Sequence, residues 1–202
     1  MRPAATPAAT AQPERLEALD TRRRQLIETL VAERNRSDHY TEALCRRQAR
    51  SLLKVMEKQG AQCEAASAAL IAADAKLPAR ADRLDAIPGV GFTTAAVMLA
   101  GLPELGTLSA AAVAALAGVA PYNQDSGDAT GARHIAGGRS VVRCALYMAA
   151  MSAVKHDAIL KAFYLKRRAA GKKPKVALVA CLRKLVVLMN RLLKNPNFEL
   201  AK

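Results

Sequence analysis

The sequence predicts an all-α chain, and three observations predict it. Alanine and leucine are abundant while aromatics make up only 3% and Trp is absent. That composition favours helices over the β-branched and aromatic usage of sheets. Apolar residues recur at helical spacing along most of the chain. Gly, Pro and capping residues then cut it into helix-sized pieces. Hydrophobic residues reach 51% of the 202, enough for a real core and one domain with an extended arm.

The opening "MRPAATPAATAQP" reads as a Pro/Ala linker over 1–13, without the order of a signal peptide. A helical arm over 14–78 follows. From Glu14 to about Arg36, Leu16, Leu19, Leu26 and Leu30 keep a heptad-like seam that Arg23 interrupts. A second stretch, Asp38 to about Gln59, carries Tyr40, Leu44, Leu52 and Val55 as its stripe. A third, Ala61 to Lys76, is alanine-rich. Together they predict a coiled coil or helical hairpin.

The compact domain is expected over 79–195, with 196–202 as a tail. A short helix, Ala79–Ala86, leads into "IPGVG" and a second helix, Phe92–Ala100. Ser109 is an N-cap and Gly118 a stop for the next helix. Tyr122 to Ser140 is a polar loop or short hairpin. Three helices follow: the first runs to His156, the second is capped by Asp157 and ended at Gly171, and the third starts at Pro174. On that last helix Val179, Leu182, Val186, Met189 and Leu193 share a face.

From Ala86 to Asn123 the only charge is Glu104. Glycines and prolines break this run into pieces too short for the roughly 20 residues of a membrane helix, so it is read as buried core. The four cysteines form no CxxC pair and the three histidines have no metal-ligand spacing. They fit a reduced, cytoplasmic protein. No ordered set of acidic residues resembles a two-metal nuclease centre.

A formal net charge of +14 points to a polyanionic partner, since clustered Lys and Arg gain affinity by releasing phosphate counterions. Three places are candidates for contact. In the turn Gly89–Val90–Gly91, glycine permits positive φ at both ends and the next helix presents its N-terminal amides to a phosphate. The alternative is a plain turn between packed helices. "KRRAAGKKPK" supplies Lys166, Arg167, Arg168, Lys172, Lys173 and Lys175, with Phe163 and Tyr164 beside it for stacking. Ser126 lies between Asp125 and Gly127 in the polar loop, followed by Arg133, Arg139 and Arg143. A serine among arginines suits phosphoryl transfer, although spacing alone favours a serine in a surface turn.

Three ordered blocks carry a resemblance: "LDAIPGVGFTTAAVMLAGL", "LAGVAPYNQDSGDATGARHIAGGRSVVRCALYMAA" and "FYLKRRAAGKKPKVALVACLRKLV". The chain resembles the C-terminal transposase domain of the insertion sequence 110 (116/110/902) family over about Leu84 to Leu193, together with the helical linker before it. The resemblance implies a helix-hairpin-helix at Gly89–Gly91 and a serine nucleophile at Ser126, acting in DNA transposition. It implies DNA partners (transposon ends and target), a bridge RNA in some members, and action as a homo-oligomer. Family members also carry an N-terminal RuvC-like domain with four acidic metal ligands. This sequence begins at the linker, so Mg²⁺ is expected only for that missing domain and no cofactor for this chain. The isolated chain is then expected to be inactive without a RuvC-like partner. "IAGGRSVVR" also departs from the Lys-containing pattern of many members, with Arg139 as the available charge. The competing expectation is a non-catalytic nucleic-acid-binding remnant or antagonist of a full-length transposase.

Overall fold

A computed structural model describes residues 11–122 and 134–200. Among them are eight α-helices and one two-stranded ladder, an all-α fold. No described helix is long and apolar enough to cross a membrane. The chain divides into two units, Met1–Ala75 and Lys76–Lys202.

The first unit is a pair of helices, α1 (Ala11–Ser37) and α2 (Ala43–Ala72). Ion pairs Arg23–Glu64 at 2.6 Å and Arg34–Glu57 at 3.2 Å set the two antiparallel. Arg23 interrupts the leucine seam because α2 presents Glu64 there. Leu16 and Leu26 are buried as the seam requires. The second and third expected helices are instead one. α2 runs unbroken through Gly60, where a Cβ would meet nothing within 4 Å. An interior glycine costs about 1 kcal/mol relative to Ala, less than the packing of a long helix supplies. The expected stripe on α2 is also corrected. Leu44, Leu52 and Val55 are exposed, while the inward row is Ala49, Leu53, Met56, Gly60 and Cys63. Ala49, Gly60 and Cys63 let α1 approach closely, and Leu53 and Met56 fill the space between them, so Leu44, Leu52 and Val55 face out.

The second unit is built from α3 (Leu77–Asp85), α4 (Phe92–Gly101), α5 (Ala110–Leu116), α6 (Ser140–His156), α7 (Ala158–Ala169) and α8 (Pro174–Lys194). α8 packs on α3, α5, α6 and α7, and α4 packs on α3 and α6. Ala95, Val97, Met98, Leu99 and Ala100 are all buried on α4. The nearly uncharged stretch is therefore core, as a helix apolar on most sides should be. On α8 the buried face is wider than expected. It includes Leu178, Cys181, Leu182, Leu185, Val186, Met189 and Leu192, with Val179 and Leu193 only half-buried. A helix covered by four neighbours buries more than one stripe.

Helix ends follow local chemistry. The Ser109 hydroxyl accepts from the Ala112 amide at 3.2 Å, and the Asp157 carboxylate accepts from Ile159 and Leu160 at 2.7 and 3.1 Å. Gly118 and Gly171 take positive φ of 68° and 78° at the stops after α5 and α7. Asn190 is the polar exception inside α8. Its side chain accepts from the Gly106 amide at 2.8 Å and donates to the Leu108 carbonyl at 2.9 Å. Asn190→Ala would strip both partners, and a destabilisation of about 2–4 kcal/mol is expected in urea unfolding.

Candidate functional site

The Pro88–Gly89 turn is shaped by both residue types. Val90 donates to the Ile87 carbonyl at 2.9 Å, with Pro88 second and Gly89 third. Gly89 has φ +86°, as a type II turn requires at its third position. Ile87 and Val90 are buried, and a Cβ on Gly89 would fall onto the backbone of Ala153 in α6. The expectation of positive φ at both glycines is corrected: Gly91 has φ −86° and is the N-cap of α4. Val90 is 2% exposed, so its side chain belongs to the core and only its backbone could meet a ligand. Gly91 and Phe92 are exposed, and no side chain caps α4. One side of the turn is thus locked into the fold. The other presents helix N–H groups to solvent, where a negative group is favoured.

A second construction stands at the far end of α5. Strands β1 (Pro121–Tyr122) and β2 (His134–Ile135) pair antiparallel, Pro121 with Ile135 and Tyr122 with His134. They bracket the segment that contains Ser126 and Arg133, two expected site residues that lie outside the described residues. After β2 come Gly137 and Gly138, both with positive φ. Gly138 lies directly on the backbone of Gly118, and a Cβ there would also stand 2.8 Å from the Leu116 carbonyl oxygen. The Arg139 amide donates to that same carbonyl at 2.8 Å. The ladder joins β1 to β2, and Gly138 and the Arg139 amide seat the residues after β2 on the end of α5.

The two described arginines of this region are engaged with the protein. Arg139 donates to both Glu104 carboxylate oxygens at 2.7 Å and to the Gly101 carbonyl at 3.0 Å. It ties the segment after β2 to the end of α4. A guanidinium forked on a carboxylate has its charge largely met by that partner. Arg143 donates to the Gly137 carbonyl at 2.6 Å. It uses one of its five N–H donors there. Glu104 was missed as a site residue. Its signal was present, as the only charge in a long apolar run.

The Arg139 hydrogen bonds hold the Glu104 carboxyl below its ordinary value of 4.5; partial burial opposes them. A lowered folded value means that the charged pair stabilises the fold above pH 4.5, and that this contribution disappears as pH falls through the folded value. The difference in melting temperature between the wild type and Glu104→Gln is expected to be full at neutral pH and to shrink below pH 4.5. Both side chains are over a third exposed, so the effect is modest and salt-sensitive.

The third candidate, Lys166, Arg167, Arg168, Lys172, Lys173 and Lys175, spans the end of α7 and the start of α8, and all six are exposed. Phe163 already has two cations of the chain over its ring. Arg167 lies 5.0 Å and Lys184 4.7 Å from its ring centroid. Among the described residues no three His, Cys, Asp or Glu side chains converge. All four cysteines are free, and burial raises the Cys181 thiol above its ordinary value, keeping it unreactive.

Residues 81–165 match the family model described as transposase IS116/IS110/IS902 family. The matched region includes the Gly89 turn, both strands, α6 and most of α7. The chain matches no curated protein.

Proposed function

We propose, from the premise that residues 81–165 are a transposase domain of the IS116/IS110/IS902 family, that this chain binds DNA and supplies a serine nucleophile for strand transfer in transposition. The observation that carries the reading is where the Ser126 segment is rooted. It lies within the matched region, the strands on either side of it pair as the β1–β2 ladder, and the residues after β2 sit on Gly118 and the Leu116 carbonyl at the end of α5. A nucleophile has to be held within a few tenths of an ångström of its attack geometry, which favours a loop anchored on rigid helices.

In this reading the Ser126 Oγ attacks a DNA phosphorus. An Oγ–P bond forms and one bond from phosphorus to a sugar oxygen breaks. The serine gives up its proton and the leaving sugar oxygen takes one up. The phosphodiester is exchanged rather than hydrolysed, so a later attack by a sugar hydroxyl restores it without ATP. Arg133 and Arg143 offset the charge on the phosphate, while Arg139 positions the segment. The turn at Gly89–Gly91, acting as a helix-hairpin-helix, holds a neighbouring backbone phosphate through amides of α4, without reading sequence. A RuvC-like acidic domain supplies the Mg²⁺-dependent part, and a bridge RNA and further copies of the chain complete the assembly.

The test incubates the chain, with and without a RuvC-like domain, with labelled duplexes carrying cognate element ends. The expected product is a protein–DNA band that survives denaturing gels. Ser126→Ala should abolish that band while DNA retention, measured by anisotropy, persists. A covalent band of undiminished intensity from Ser126→Ala would exclude Ser126 as the nucleophile.

A further inference from the structure

We propose that the groove between α6, α7 and α8 seats one unstacked base of a single-stranded nucleic acid, with Lys155 and Lys175 on the flanking phosphates. This rests on the reading that the second unit binds nucleic acid, and it names a substrate class that the family match does not.

The groove has a volume of about 250 Å³ and is lined by Tyr147 and Met151 of α6, Tyr164 of α7 and Leu178 of α8, with Lys155 and Lys175 at its edge. The whole sequence has only four tyrosines, three phenylalanines and no tryptophan. Two of those seven rings meet in this one groove. Both tyrosines are half-buried, so part of each ring faces the opening. Of the two aromatic residues beside the basic run, Phe163 has Arg167 and Lys184 over its ring, while Tyr164 lines the groove.

Charge selects the occupant. No carboxylate lines the groove. Lys155 lies in the last turn of α6, Lys175 in the first turn of α8, and both are exposed. Lys172 and Lys173 adjoin in sequence, and no side chain caps the first turn of α8. An apolar slot with aromatic walls and a cationic rim matches a base with its sugar-phosphate on either side. Duplex DNA keeps its bases stacked inside and would meet only the rim. The apolar slot therefore distinguishes single strands, as exist at a displaced strand, an unpaired end or an RNA loop.

The experiment uses the full chain with fluorescein-labelled oligothymidylate and, separately, a labelled duplex of equal length, both read by anisotropy. Tyr164→Leu is expected to weaken oligothymidylate binding about tenfold, within the range of one base–aromatic stack, and to leave duplex binding within about twofold. Tyr164→Phe keeps the ring and should bind as wild type. The surface pair Lys155→Gln/Lys175→Gln should weaken single-strand binding and flatten its salt dependence. Tyr147→Leu, which removes the other ring, decides the question if Tyr164→Leu does not fold by circular dichroism. Equal losses of a tyrosine variant on both probes, or none on either, would overturn the proposal. So would a drop in self-association of the variants in sedimentation without loss of oligothymidylate binding, which assigns the groove to a second copy of the chain. Wild-type binding to duplex but not to oligothymidylate sinks this proposal and leaves the DNA-binding reading standing. Binding to neither probe sinks both.

Discussion

Gly89→Ala is expected to destabilise the second unit by about 2–5 kcal/mol in urea or thermal unfolding. Two costs combine. A side chain at φ +86° pays for the left-handed conformation. The added Cβ also lands on the Ala153 backbone, with the Ala153 Cβ only 2.9 Å away. Backbone cannot swing aside as a flexible side chain can, so α6 or the turn has to move. Gly91→Ala supplies the control. Gly91 has φ −86° and a Cβ there meets nothing within 4 Å, so a loss of no more than about 1 kcal/mol is expected. Equal melting curves for the two variants would show that the turn is not locked against α6.

Gly138→Ala should release the segment after β2 from α5. Its φ is +66°, and the new Cβ would fall on the Gly118 backbone beside the Leu116 carbonyl. The combined cost is again about 2–5 kcal/mol, but it is concentrated on one contact, so local opening is the expected response. The amide of Arg139, which donates to Leu116, should lose hydrogen-exchange protection before the amides of α8 do. Under the proposed serine chemistry, formation of the covalent DNA product should fall with it. Gly137→Ala separates conformation from contact. Gly137 has φ +64° but open space around it, so only about 1–2 kcal/mol is expected. If Gly138→Ala keeps full product yield, the rooting of the segment is irrelevant to the chemistry.

Much of the local structure was legible along the chain because its causes are local. Ser109 and Asp157 cap helices as their side chains allow, and Gly118 and Gly171 stop them. The uncharged run around α4 could be read as buried, since nothing in it needs water. Other features were not legible. Which row of α2 faces inward depends on α1, and the single-row reading chose the exposed Leu44, Leu52 and Val55. Gly60 looked like a break, although tertiary packing carries the helix through it. Arg139 looked free for phosphate until folding brought it to Glu104, 35 residues away in sequence.

The sequence by itself determined the helical class, most helix boundaries, the basic character and the family blocks. Each of these follows from composition, spacing or one residue's own stereochemistry. Only the tertiary structure decided which glycine of the turn is locked and which arginine is already paired. It alone joined Tyr147 of α6 to Tyr164 of α7 in one groove. These depend on contacts between residues far apart in the chain, and burial, charge pairing and close backbone approach take their values only when the helices pack.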